Sequence, residues 1–437
     1  MKKRILLCLL VLLIAIVPAG TPALGEDDYA VGITYGFDAS EQAVLAAPEI
    51  SSPSVLLAEP ESGKIIYEKN AHAKMYPAST TKLLTALLAL EKCTLDETAV
   101  VSEYAVNSVT YDYSSAALVP GEELSVYVLL QAMLIYSAND AATVLAEHIS
   151  GSVEEFAKLC NERAVELGCE NLHFVNANGM PDDNHYCTAY DLFLIARECQ
   201  KYDVFNEIVQ TKSFIVPATE LYPEEDRFCK NTNKMLFSGY SKYYYPYCTG
   251  MKTGYTTPAG HCLVSSASKG SLDLICVVLG GIVDEQGINR RYTDSIALFD
   301  FAYENYSYGA ICAANSVAAT ADVKRAKRGE APLEIVVAED INGIMPKGFD
   351  VSSTEPEINL VDDIKAPISQ NQIMGQITYN IDGVSYKANL VASSDVEKAN
   401  YAVLYITAAA ASAAVVAVIV FKIKKIKNRN PVSTESN

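Results

Sequence analysis

Tyr76-Pro77-Ala78-Ser79-Thr80-Thr81-Lys82-Leu83-Leu84-Thr85-Ala86 sets a proline, a serine and a lysine at the head of an apolar run. Proline is favoured in a first helical turn, so a helix is expected to begin near Pro77. Leu83, Leu84, Leu87, Leu88 and Leu90 follow at helical spacing. Ser79 and Lys82 are three residues apart and share one face of that helix. A serine hydroxyl attacks only when a base takes its proton, and a lysine serves if burial and nearby cations keep it neutral. The first turn also offers unpaired N–H groups, and with the helix dipole these favour an oxyanion beside Ser79. Alone the pattern is weak, since Ser266-Ala267-Ser268-Lys269 repeats it at what reads as a turn.

Two motifs downstream strengthen it. The helical pattern of residues 126–149 breaks at Tyr136-Ser137. In that break Ser137 offers a second hydroxyl for proton relay and Asn139 an amide to hold a peptide carbonyl. Either residue would also serve as an ordinary helix cap. Lys252-Thr253-Gly254 opens a strand-like segment, where Lys252 and Thr253 suit a carboxylate by charge and hydroxyl. Gly254 admits a ligand to the backbone, and the N–H of Tyr255 supplies a second oxyanion donor. A nucleophile, two proton carriers and a carboxylate clamp suffice to attack an amide beside a free carboxylate, with neither a metal nor a cofactor required.

The rest of the chain frames these motifs. Residues 54–58 and 64–67, around Glu61-Ser62-Gly63, read as a β-hairpin. Helical patterns cover residues 153–167 and 188–199, strands return at 260–267 and 272–280, and a last helix covers 289–303. A sheet assembled from the two chain ends with helices inserted between them is an α+β layout. Beyond about residue 323, short strand-like runs at 333–337, 358–361, 374–377 and 385–391 suggest a separate, small β-rich domain.

The chain has 437 residues and a formal charge of −19. Setting aside Lys2, Lys3 and Arg4 and the net +4 of the tail after Phe421 leaves −26 for the part between. Such a surface repels phosphate backbones, which argues against nucleic acid as a partner. Lys2, Lys3 and Arg4 precede an apolar run, so residues 1–25 read as a signal peptide and 26–50 as an acidic leader. Residues 401–421 carry no charge and at about 1.5 Å each span roughly the 30 Å core of a bilayer. The basic tail 422–437 then belongs in the cytoplasm, leaving a single-pass protein whose body lies outside the cell. Of 11 cysteines, ten follow the signal. They show no CxxC spacing and read mostly as buried thiols, although Cys262 and Cys276 are placed to meet across a hairpin. The five histidines show no metal-ligand spacing with them.

Taken together, Ser79-Thr80-Thr81-Lys82, Ser137-Ala138-Asn139 and Lys252-Thr253-Gly254 resemble the motif set of the low-molecular-mass penicillin-binding proteins, the serine-type D-alanyl-D-alanine carboxypeptidases. So do residues 61–70, Asn139-Asp140-Ala141-Ala142, residues 173–179, Arg291-Tyr292-Thr293-Asp294-Ser295 and residues 367–375, a similarity extending over about residues 50–395. The resemblance implies a β-lactamase/transpeptidase-like catalytic domain at 51–315, an antiparallel sheet flanked by helices, followed by a β-rich domain at 323–395. It implies that Ser79 is acylated, Lys82 is its base, and Ser137 and Asn139 relay a proton and position substrate. Lys252, Thr253 and Gly254, with Tyr255, would bind the terminal carboxylate and oxyanion. The implied substrate is the peptidoglycan stem pentapeptide, with β-lactam antibiotics as mimics. Two departures stand out. Some relatives carry an arginine between two asparagines where this chain has Asn231-Thr232-Asn233-Lys234, which shifts carboxylate binding to Lys252 or partly to Lys234. Many relatives also end in an amphipathic helix, not a spanning one. A D,D-endopeptidase and a non-catalytic wall-binding protein are the competing readings. A β-lactamase fits less well, because no Glu-x-x-x-Asn lies between Asn139 and Lys252.

Overall fold

β1 (Ser54–Ala58) and β2 (Ile65–Lys69) form the expected hairpin. Three later strands, β3 (Cys248–Thr256), β4 (Gly260–Lys269) and β5 (Leu272–Gly281), join them in one antiparallel sheet of order β2-β1-β5-β4-β3. The computed structural model describes residues 46–427 apart from Tyr111, Tyr240, Arg328 and Glu330, and apart from the side chains of residues 403, 404, 426 and 427. The expected signal peptide, most of the leader and the end of the basic tail lie outside the described residues.

Both faces of this sheet are covered, which is why all of β1 is buried. Successive strand residues point to opposite faces. Leu56, Ala58, Val264, Ile275 and Val277 pack against the inserted helices. Val55, Leu57, Leu263, Cys276 and Val278 pack against Tyr292, Leu298 and Phe299 of the helix Arg290–Asn305. Each such valine, leucine or isoleucine contributes about 1.5–3 kcal/mol by leaving water. The α+β layout expected from the sequence is the one observed. Cys262 and Cys276 do not meet, because they belong to the cores on opposite faces and Cys276 pairs across the strands with Ser265. The ten cysteines of the described residues are all free.

The central helix starts later than Pro77 suggests. Residues Ala78–Thr81 form a 3-10 turn, and α1 (Lys82–Lys92) begins only after it. The reason is local: the hydroxyls of Thr80 and Thr81 donate to the carbonyls of Pro77 and Ala78 at 2.7 and 2.9 Å, competing with regular helix bonding. All residues from Lys82 to Ala89 are buried, as expected for a helix enclosed on every side. Two more helices, α2 (Val126–Ile135) and α3 (Asn139–Ser150), flank the anticipated break.

The C-terminal third carries a second sheet in which Val317–Ala321, Leu333–Val337, Val384–Ala392, Ile373–Ile381 and Glu357–Leu360 lie side by side. A separate pair joins Tyr306–Cys312 to Ile341–Pro346. Tyr306–Cys312 and Val317–Ala321 escaped sequence reading because Ala, Gly and Ser give little strand signal. Ile344 enters the core beneath the Arg290–Asn305 helix, and Lys64 pairs with Asp382 at 3.0 Å, so the two sheets' domains are fastened together. The last helix, Ala402–Lys427, includes a 21-residue stretch, Tyr405–Lys425, with mean hydropathy 2.2 and no buried part. It is long and apolar enough to cross a membrane, and this stretch lies four residues later than expected.

Candidate active site

Ser79 lies in the 3-10 turn, half-buried, directly before the first residue turn of α1. Lys82 reaches it from one turn on, with Nζ donating to Ser79 Oγ at 3.0 Å. Nζ also donates to Asn139 Oδ1 at 2.8 Å and to the Asn178 carbonyl at 2.6 Å. Lys82 is wholly buried. Burial, then the charge of Lys252, holds its pKa well below the ordinary lysine value, and the carboxylate of Asp140 only partly opposes this. Once neutral, the amine keeps two N–H donors for Asn139 and Asn178 and turns its lone pair to the Ser79 hydroxyl at 3.0 Å, the geometry of a competent base.

The break between α2 and α3 places Asn139 at the first turn of α3, where its Nδ2 donates to the Ser114 carbonyl at 3.0 Å. Asp140 ties down the facing loop, accepting from Ser115 Oγ at 2.6 Å and from the Ala116 and Leu118 amides at 3.1 and 3.3 Å. Ser137 sits in the break with φ of 70° and is buried. Among the described residues no hydrogen bond joins it to Lys82; Asn139, two residues on, makes that contact.

β3 is an edge strand and it passes against the Ser79 turn. A Cβ at Gly254 would stand 2.9 Å from Ser79 N, and one at Gly179 would stand 1.9 Å from the Ala78 carbonyl oxygen. Both glycines therefore exist to admit the turn. Lys252 is wholly buried and donates to the Thr253 carbonyl at 2.9 Å. Burial, then the Arg291 guanidinium, lowers its pKa to about 7. Thr253 Oγ1 donates to Thr232 Oγ1 at 2.6 Å, and Tyr255 is exposed, stacked on His261 with 4.5 Å between ring centres.

Sequence reasoning gave no role to three groups beside these. Arg291 is buried and reaches in from the Arg290–Asn305 helix, donating to the Gly254 and Cys262 carbonyls at 2.9 and 3.2 Å and to Tyr292 Oη at 3.1 Å. Its Nε has no partner among the described residues. Arg291 thus sets a buried cation against the Gly254 carbonyl, in the strand that carries Lys252 and Thr253. The Asn176-Ala177-Asn178-Gly179 loop supplies a carbonyl to Lys82. His185 is buried, accepts from the Val175 amide at Nδ1 (3.1 Å), and so donates from Nε2 to Thr81 Oγ1 at 2.8 Å. Thr81 passes this on to the Ala78 carbonyl, and Ala78 has φ of 49°. The only available signal was the similarity of residues 173–179 and 291–295 to family stretches. Away from this site, Cys93, Glu97 and His148 bring ligand atoms within 4.8 Å of one another, at the far ends of α1 and α3.

Residues 41–282 match the family described as D-alanyl-D-alanine carboxypeptidase, and residues 306–398 match the penicillin-binding protein 5 C-terminal domain. The chain belongs to the D-alanyl-D-alanine carboxypeptidase family. Among this family's members, D-alanyl-D-alanine carboxypeptidase DacF of Bacillus subtilis is 33% identical over 80% of this chain and 86% of its own length. DacC of Escherichia coli is 28% identical over 83% of this chain and 88% of its own. Of solved structures, penicillin binding protein 5 from Haemophilus influenzae superposes with a TM-score of 0.65 at 27% identity, covering 81% of this chain and all of that one. A peptidoglycan synthesis regulatory factor (PBP3) from Streptococcus pneumoniae gives 0.67 at 26% identity, covering 80% of this chain and all of that one.

Proposed function

We propose that this carboxypeptidase-family protein removes the terminal D-Ala from peptidoglycan stem pentapeptides, limiting cross-linking as the wall matures. The observation that carries the reading is the buried Lys82 amine at 3.0 Å from Ser79 Oγ. Lys82 takes the Ser79 proton, and Oγ bonds to the carbonyl carbon of the penultimate D-Ala. Backbone N–H groups of Ser79 and Tyr255 receive the oxyanion, each such donor being worth about 3–4 kcal/mol in the transition state. The C–N bond then breaks. The proton reaches the leaving amine through Lys82, with Ser137 as the second carrier. Water hydrolyses the ester and restores Ser79.

Asn139 holds Lys82 and faces the substrate amide, while Lys252 and Thr253 take the terminal carboxylate, with Arg291 adding positive charge behind the Gly254 carbonyl. A β-lactam acylates the same serine. The Ala402–Lys427 helix anchors the protein in the membrane, with Lys422, Lys424, Lys425 and Lys427 on the cytoplasmic side and the active site outside. The β-rich domain then serves as a spacer above the membrane. The test is release of D-Ala from a stem pentapeptide. The wild type is expected to release it and Ser79→Ala to lose release altogether; an active Ser79→Ala protein would overturn the assignment.

A further inference from the structure

Three ligand groups converge at the ends of α1 and α3 that are remote from Ser79. Cys93 caps α1, its amide donating to the Ala89 carbonyl at 3.1 Å, and His148 lies in the last turn of α3. Glu97 comes from the turn that follows α1. Cys93 Sγ, a carboxylate oxygen of Glu97 and a ring nitrogen of His148 all lie within 4.8 Å of one another. Among the described residues this is the one group of three such side chains so placed. Backbone bonds fix the turn: the Glu97 amide donates to the Thr94 carbonyl at 3.2 Å, and the Leu95 and Glu97 carbonyls accept from the Tyr127 and Val126 amides of α2 at 3.0 and 2.9 Å. The Thr94 amide donates to Glu97 Oε1 at 2.6 Å, which leaves Oε2 facing His148 Nε2 at 3.2 Å. Cys93 is half-buried, and the side chains of His148 and Glu97 are 24% and 42% exposed, so an ion can reach all three.

Thiolate, imidazole and carboxylate together select a borderline-soft divalent ion such as Zn²⁺ over Mg²⁺ and Ca²⁺, which take oxygen ligands. Around a tetrahedral Zn²⁺ with bonds of about 2.0–2.3 Å, ligand atoms stand about 3.3–3.6 Å apart. Glu97 and His148 already have that separation, and Cys93 has at most about 1.5 Å to travel. The C-terminal ends of two helices meet here, and the negative ends of their dipoles favour a cation. We propose that Cys93, Glu97 and His148 bind one Zn²⁺-class ion, with water completing its shell. On binding, the Cys93 thiol gives its proton to solvent, and His148 binds through Nε2 and keeps its proton on Nδ1. The ion is structural, not catalytic. The 11 residues of α1, at about 1.5 Å each, put it roughly 16 Å from Lys82, beyond reach of a substrate on Ser79. Lys82 and Asn139 fasten the starts of α1 and α3 at 2.8 Å, and the ion fastens their ends. His148 lies 51 residues beyond Glu97, so no ligand spacing in the sequence records the group.

The experiment uses the full-length chain in detergent, without a polyhistidine tag, stripped with a chelator and kept reduced. Co²⁺ is added as a spectroscopic stand-in, and Zn²⁺, Mg²⁺ and Ca²⁺ are titrated by calorimetry. The wild type is expected to bind one Zn²⁺ per chain and to show a thiolate-to-cobalt charge-transfer band in the near ultraviolet. Its melting temperature should rise by about 5 °C when Zn²⁺ is at roughly 100 times its Kd. Cys93→Ser should abolish the band. His148→Gln should weaken Zn²⁺ binding at least about 100-fold, and Glu97→Gln, which keeps its bond to the Thr94 amide, about tenfold. Cys312→Ser removes a half-buried thiol elsewhere and should change neither band nor affinity. No band in the wild type overturns the site, as does a band that survives Cys93→Ser. Equal Zn²⁺ affinity in wild type and His148→Gln, or Mg²⁺ bound as tightly as Zn²⁺, overturns it too. The wild-type band and stoichiometry decide the question even where a variant folds poorly.

Discussion

Lys82 Nζ and Asn139 Oδ1 lie 2.8 Å apart, joining the first turn of α1 to the first turn of α3. The two helices come from different parts of the chain, so this bond sets the position of the base relative to everything α3 carries. Asn139→Asp puts a carboxylate beside the amine, which favours the protonated form and raises the Lys82 pKa. The acid limb of the kcat/KM profile should move to higher pH, with a loss of about 10²-fold at neutral pH, the range for general-base catalysis. Asn139→Leu should lower the rate without that displacement. A pH profile unchanged by Asn139→Asp would separate Lys82 from the base role.

Lys252 is buried, with a pKa lowered from 10.5 to about 7. Between those values the unfolded chain binds a proton that the folded chain has released. Stability therefore rises with pH across that window, and the cost is complete below about pH 7. Lys252→Met removes the cost. The melting temperature at pH 7 should rise, at about 2–4 °C per kcal/mol for a large domain, while D-Ala release collapses. Calorimetry at pH 7 and at pH 10 checks this, and the gain should shrink at the higher pH. A fall in melting temperature at pH 7 would contradict it.

His185 has its pKa lowered to about 3, by burial above all, and stays neutral at working pH. Here the unfolded state takes up a proton first, below about 6.5, so this group's contribution is lost as pH falls from 6.5 towards 3. His185→Ala should leave Thr81 without its donor and loosen the turn that carries Ser79. The expected outcome is a fall in the penicillin acylation rate of about tenfold, with partial recovery in His185→Gln. Equal rates in all three proteins would show that the turn holds itself.

Gly179 has φ of 86°, and a Cβ there would collide with the Ala78 carbonyl. Gly179→Ala should therefore displace the Ser79 turn and cost at least about 2 kcal/mol of stability, with acylation lost. Gly151 has φ of 80° but nothing within 4 Å of a Cβ. Gly151→Ala isolates the backbone strain, and should leave acylation intact. Melting and labelling curves for the pair test the distinction.

The ten described cysteines are free, and the most deeply buried have their thiols pushed up by burial, as with Cys262 at about 11 and Cys276 at about 12. Thiolate is scarce at neutral pH, so native protein should resist alkylation at these two positions. Adding a reductant should leave the melting temperature unchanged within about 1 °C. A large drop would mean that disulfides form after all.

Much of this fold was legible because its signals are local. Short apolar runs beside turn residues marked β1, β4 and β5, and the leucine spacing marked α1. Ser79 and Lys82 could be paired from spacing alone, because three residues along a helix is a distance a sequence states directly. Arg291 and His185 could not. Arg291 lies 37 residues beyond Gly254, and only antiparallel pairing and the Arg290–Asn305 helix return it to that strand. His185 reaches the Ser79 turn across 104 residues through Thr81, a contact that no periodicity records. The start of α1 was misplaced for a different reason: Pro77 signals a helix, but Thr80 and Thr81 turn their hydroxyls back on the carbonyls and hold the chain in a 3-10 turn.

The central claim is that Ser79 is the group acylated. The most direct measurement is mass spectrometry of the full-length protein after brief exposure to a penicillin, followed by mapping of the adduct. One adduct per chain, on the peptide containing Ser79 and absent from Ser79→Ala, is the result predicted here. An adduct on another residue, or none on folded wild type, would contradict it.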